Sequence, residues 1–221
     1  MHDDTRARSS TLLLPFGSMT PSELESLTKG VLTPCADPAE AERVAAATRL
    51  WLERAVIGLN LCPFAKAVHI KRQIRYAVTA STNTGDLLAE LRHELQLLVQ
   101  ADPETIDTTL LIHPAVLSDF IAYNNFLQHA NAVVRDLQLE GVVQIASFHP
   151  RYEFAGSASD DIENYTNRSP FPLLHLLREA SLDRAVAAIP DAADIYERNI
   201  ETMRRLGHEG WRDLWARGAS T

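Results

Sequence analysis

Apolar residues take on a regular spacing from residue 37 onward. Asp37-Pro38-Ala39-Glu40 carries the signs of a helix start: Asp as N-cap, Pro at the first helical position and Glu completing a capping box. Val44, Ala47, Trp51 and Ala55 then recur three and four apart. That predicts an amphipathic helix running to Gly58 or Leu61, with Pro63 closing it. Ile74, Tyr76 and Val78 alternate as a strand does. Thr84-Gly85-Asp86 opens a second helix that buries Leu87, Leu88, Leu91, Leu95 and Leu98 and ends at Asp102-Pro103. A strand over Thr108–His113 stops at Pro114. Ser118 is read as the cap of a third helix, whose Phe120, Tyr123, Leu127, Ala130, Val134 and Leu137 form the clearest stripe in the chain. Gly141 ends it. Val142–His149 is apolar on both faces, as a central strand is, and Pro150 stops it.

Beyond Pro150 the periodicity lapses. Residues 151–172 form a long polar loop, and loops of that length inside a compact domain are functional or disordered. Tyr152, Phe154, Tyr165 and Phe171 argue for order, because aromatic rings supply burial. Helices are expected over Leu173–Ala180, Leu182–Ile189 and Asp191–Leu206. Gly207 stops the last, and a final turn with Trp211 and Trp215 packs back on the domain. Alternating helices and strands predict an α/β fold: a small, mostly parallel central sheet of about three or more strands, sandwiched by helices, with a helical C-terminal region. A ferredoxin-like α+β sheet with an antiparallel member is the alternative. Residues 37–221 form one domain. Residues 1–36, rich in Ser, Thr and Pro, read as a loosely ordered arm.

Charge and composition narrow the partners. The net charge is −8, with 46% hydrophobic residues, which argues against a global grip on nucleic acid or an anionic membrane. No run approaches the roughly 18 apolar residues of a membrane span. The Leu12–Phe16 run is too short for a signal-peptide core, so a cytoplasmic protein is expected, and Met19 is an alternative start. Two cysteines build no disulfide framework.

Three groups of residues could carry chemistry. His113-Pro114 and His149-Pro150 each follow a predicted strand. If those strands are parallel, both imidazoles lie at the sheet edge where open α/β sheets bind ligands. Cys62 precedes Pro63 at a predicted helix start, whose dipole favours thiolate, with Lys66 one turn on; the alternative is a small buried core residue. Asn164, Asn167, Arg168, Ser169, His175 and Arg178 form the third group. Asn-Arg-Ser-Pro leads into the helix expected from Leu173, whose first amides would help to cradle phosphate or carboxylate, with His175 and Arg178 sharing a face. Arg151 and Tyr152 join the same edge.

The leading expectation is a hydrolase or group transferase acting on a small anionic substrate. His149 would be general acid/base, assisted by His113 or His175, and Cys62 a nucleophile. Arg151, Tyr152, Asn164, Asn167, Arg168, Ser169 and Arg178 would bind substrate. One alternative is a divalent metal held by His113, His149 and Asp160, although no recognised ligand motif supports it. The other is a non-catalytic protein that binds a ligand or partner through the loop.

Three runs are long and chemically unusual: Trp51–Ala65 (WLERAVIGLNLCPFA), Phe148–Tyr152 (FHPRY) and Asn167–Glu179 (NRSPFPLLHLLRE). Together they resemble a bacterial family, domain of unknown function 1415, over roughly residues 40 to 207 and in the same order. The resemblance implies a cytosolic bacterial protein and supplies no mechanism.

Overall fold

A computed structural model describes residues 37–187 and 195–216. Helix α1 (Pro38–Trp51) starts where Asp37 Oδ1 accepts the Ala39 amide at 2.9 Å. It widens into a π-helical stretch, Leu52–Ile57. The chain leaves that stretch through Asn60 in the left-handed region (φ 56°). Leu61 N–H then returns to Val56 O and Asn60 N–H to Ile57 O, a Schellman ending. Gly58 is required here, because a Cβ at that position would lie 2.3 Å from Arg54 O. Helix α2 (Pro63–Ile70) begins directly, with Cys62 as its extended N-cap residue.

The remaining elements are β1 (Ile74–Val78), α3 (Thr84–Gln100), β2 (Thr108–Ile112), α4 (Phe120–Asp136), β3 (Val143–Phe148), a 3₁₀ segment (Ile162–Asn167), β4 (Leu173–Arg178), α5 (Glu179–Ala187) and α6 (Ile195–Ala216). Helix α3 is capped by Asn83 and α4 by Asp119, where Ser118 was expected. In α6, Gly207 (φ 63°, ψ 177°) breaks the helix in two at the position expected to end it. The expected start of that helix at Asp191 lies outside the described residues, as does the arm over 1–36 with Cys35.

The sheet has four strands in the order β1-β2-β4-β3. β1 and β2 are parallel, while β4 runs antiparallel to both β2 and β3. The three expected strands therefore do point the same way. The fourth corrects the reading, because Leu173–Arg178 is a strand and not the start of a helix, and the sheet is mixed rather than mostly parallel. The cause lies in the pattern LLHLLR, whose apolar spacing fits a helical stripe. It fits equally well a central strand buried on both faces.

Each sheet face has its own helices. Ala77, Leu111, Leu174, Leu176 and Val143 pack against the leucines of α3 and against Tyr123, Phe126 and Val133 of α4. On the other face Val78, Leu110, Ile112 and Leu173 meet Val44, Trp51, Leu52 and Val56, while Leu177 meets Phe64 and Val68 of α2. Arg75 is 4% exposed and pairs with Glu94 of α3 through contacts of 2.8 and 3.0 Å. No helix among the described residues is long and apolar enough to cross a membrane.

Candidate functional site

The two imidazole–proline words lie at one sheet edge, since β2 and β3 run in the same direction. They are not on neighbouring strands, because β4 lies between. Tyr123 bridges the gap, with its ring centroid 5.8 Å from that of His113 and 5.1 Å from that of His149. Both histidines are fully buried. His149 Nδ1 accepts the Arg151 amide at 3.0 Å, so the ring proton sits on Nε2 and is donated to Leu117 O at 3.2 Å. His113 Nδ1 donates to Val116 O at 3.0 Å, and its buried Nε2 has no partner. Burial lowers both pKa values, that of His113 to about 4, against the opposing pull of the bonds to Val116 and Leu117. Both rings are therefore neutral near pH 7, and their geometry is that of staples holding loop 114–119. Asp160 is exposed, and the described residues contain no group of three or more His, Cys, Asp or Glu side chains fit to hold a metal.

The strand at 173–178 also separates His175 from Arg178. Three residues apart on a strand means opposite faces, so the shared face expected from helical spacing does not exist. His175 donates from Nε2 to Thr108 Oγ1 (2.8 Å), whose own proton goes to Leu176 O (2.7 Å). Burial brings the His175 pKa down to about 4. On the other face, Arg178 reaches the carbonyls of Leu98, Ala101 and Ile106, with Asp107 at 3.9 Å. A cation at the carboxyl end of α3 complements the helix dipole. These contacts make Arg178 a cap of α3.

Residues 151–172 are ordered by their own polar groups. Asn164 is fully buried: Oδ1 accepts Phe154 N–H (2.9 Å) and Ser157 Oγ–H (2.8 Å), and Nδ2 donates to Ala158 O (2.8 Å). Asn167 continues the sheet edge, with its carbonyl taking the His149 amide and Nδ2 donating to Ser147 O. Arg151 is exposed and reaches Ser118 O and Asp119, while Tyr152 packs between Phe120 and Phe154. Arg168 donates from Nε to Tyr152 O (3.2 Å) and from Nη2 to Ser159 O, with its guanidinium 4.1 Å from the Tyr165 ring centroid. Ser169 Oγ donates to Phe171 O.

Two concavities flank this segment. The larger, about 450 Å³, is lined by Ala47, Leu50, Trp51, Pro150, Tyr165, Arg168, Ser169, Pro170, Trp211 and Trp215. The smaller, about 190 Å³, has Cys62, Phe148, Glu163, Thr166, Asn167 and Asn199 among its walls. Trp51 lines the first and Phe148 the second, and their rings meet edge to face at 5.3 Å. The Cys62 thiol is raised in pKa by burial, against the lowering effect of the Ala65 and Phe64 amides. Helix α6 closes this side: Asn199 Nδ2 donates to Leu61 O, Arg204 pairs with Glu163, and Arg54 takes the Leu214 and Trp215 carbonyls.

The structure thus gathers Arg168 and Ser169 at one cavity and Cys62 and Asn167 at the other. It leaves His113, His149, His175 and Arg178 outside both. Trp51, Tyr165, Trp211 and Trp215 were absent from the expected site. The signal for the last two was their i, i+4 spacing, which sets both indoles on one face of the terminal helix.

These features describe a mixed α/β protein with a polar strap threaded between two cavities. The chain belongs to the family described as protein of unknown function (DUF1415), whose profile matches residues 43–213. No curated protein and no solved structure matches it.

Proposed function

We propose that this protein binds a small anionic molecule in the 450 Å³ cleft between α1, the strap and the end of α6. The observation that carries the reading is Arg168. Its guanidinium is fixed by two backbone carbonyls and by stacking on Tyr165, and it meets no carboxylate among the described residues. Among the described residues three of its five N–H groups stay uncommitted, enough for a bidentate hold on a carboxylate or phosphate. The cleft volume falls within the range of small-molecule sites. This favours ligand binding over acid/base work by His149 or His113, whose ring atoms hold the 114–119 loop.

Thermal shift with a panel of small carboxylates and phosphates tests the reading. A ligand at a hundred times its Kd adds about 2.7 kcal/mol of stability, which raises Tm by roughly 5–10 °C at this size. Arg168→Gln should weaken binding by about ten- to a hundredfold, the worth of a hydrogen bond to a charged group. A panel without a responder, or a response that survives Arg168→Gln, speaks against it.

A second reading rests on Cys62, the nucleophile expected for hydrolysis or group transfer. Its thiol stands on the wall of the neighbouring cavity at the start of α2. Burial raises the thiol pKa against the pull of the amides, so the reading needs a ligand or partner group that stabilises the thiolate. Rapid iodoacetamide labelling at neutral pH would support the nucleophile, and labelling that rises only above the usual thiol pKa would overturn it.

A further inference from the structure

The chain has three tryptophans, Trp51, Trp211 and Trp215, and all three line the same cleft. Trp211 and Trp215 meet edge to face at 5.5 Å, and Tyr165 meets Trp211 in the same way at 5.3 Å. Pro150 and Pro170 complete a wall of rigid rings. Residues so widely separated in sequence converge through the fold. Trp51 ends α1, Tyr165 belongs to the strap, and the other two follow the break at Gly207.

Aromatic walls of this kind suit two ligand classes, cations and flat ring systems. The charge of the cleft separates them. Among the described residues no Asp or Glu lines it, and the one charged side chain there is the Arg168 guanidinium. A cationic ligand would meet that like charge without a compensating carboxylate, an arrangement that selects against it. An inorganic anion would use Arg168 and leave the indoles without a partner. A flat aromatic acid uses both, its ring against the indoles and its carboxylate on the guanidinium. One guanidinium matches one negative charge.

We infer that the cleft takes an aromatic monocarboxylate. The inference rests on the anion-binding reading above and adds the chemistry of the ligand's body. The tryptophans report binding directly, since no indole of the chain lies elsewhere.

The test titrates the full chain with phenylacetate, its neutral counterpart phenylacetamide, the aliphatic acid hexanoate and tetramethylammonium. Tryptophan fluorescence and calorimetry are the readouts. Phenylacetate should perturb the fluorescence and bind at least about tenfold more tightly than the other three. Trp215→Leu should abolish that advantage over hexanoate, and Arg168→Gln the advantage over phenylacetamide. Trp215 lies near the end of α6, so its variant separates loss of binding from loss of the strap. Hexanoate binding as well as phenylacetate overturns the aromatic inference and leaves the anion reading standing. Phenylacetamide binding as well as phenylacetate overturns the anion reading. A preference for tetramethylammonium, or no binding by any of the four, overturns both.

Discussion

Replacing Tyr123 with Phe removes one oxygen from the centre of the molecule. That hydroxyl donates to Leu173 O at 2.8 Å and accepts the Phe148 amide at 3.0 Å. Leu173 and Phe148 are the last cross-strand pair of β3 and β4, so the oxygen closes the open end of that ladder. Tyr123 is fully buried. Phenylalanine keeps the ring between His113 and His149 and leaves a carbonyl and an amide without a partner. A buried polar group left unsatisfied costs about 1–3 kcal/mol. Phe148 N–H is only partly buried, so the lower half of the range applies to it, and the total is about 2–5 kcal/mol. At this chain length that corresponds to a fall in Tm of roughly 5–20 °C. Urea unfolding of both proteins should show the midpoint falling with the slope m unchanged. Hydrogen exchange should speed up at the Phe148 amide. A variant within about 0.5 kcal/mol of the parent, with that amide still protected, refutes the bridging role.

Other outcomes follow from the same contacts. Glu94→Gln should destabilise by about 1.5–3 kcal/mol in urea unfolding, since it replaces a buried charge-assisted pair with Arg75 by a neutral amide; a variant as stable as the parent would refute that contribution. His113 has a folded pKa near 4, below the ordinary value of 6.5, so the unfolded chain binds the extra proton between those limits. Stability should therefore be complete above about pH 6.5 and decline as the pH falls toward 4, by roughly 3 kcal/mol from this residue. His113→Gln should flatten that part of the profile, and an unchanged slope would assign it elsewhere. Gly58→Ala should cost roughly 1–3 kcal/mol through overpacking against Arg54 O, with a lower Tm as the check.

The sequence makes some of this visible and hides the rest for definite reasons. Asp37, Pro63 and Gly207 act locally, so element boundaries near them can be read from neighbours alone; Gly141 does not end its helix as expected, because α4 stops at Asp136 and Gln138 takes the left-handed position (φ 57°). The common edge of His113 and His149 follows from two strands of the same direction. What the imidazoles do there depends on Val116, Leu117 and the Arg151 amide, and backbone atoms carry no sequence signal. β4 was hidden because leucine favours helices and its spacing in LLHLLR fits them. Only burial on both faces by partners far along the chain makes it a strand, and with it falls the pairing of His175 with Arg178. Arg168 and Ser169 were legible from their motif. The tryptophan cleft was not, because its walls come from three distant segments and carry no short motif.

The placement of β4 bears on how the chain is made. Thr108 pairs with Leu177 and Val143 with Arg178, so the middle of the sheet is filled by its last-synthesised strand. During translation β2 and β3 emerge with a vacant lane between them, and each must keep an unpaired edge until the ribosome has passed residue 178. Such late, non-local closure slows folding and leaves strand edges open to misassembly. A nascent chain stalled before that point has β1 and β2 to pair with each other, but nothing to join β3 to them.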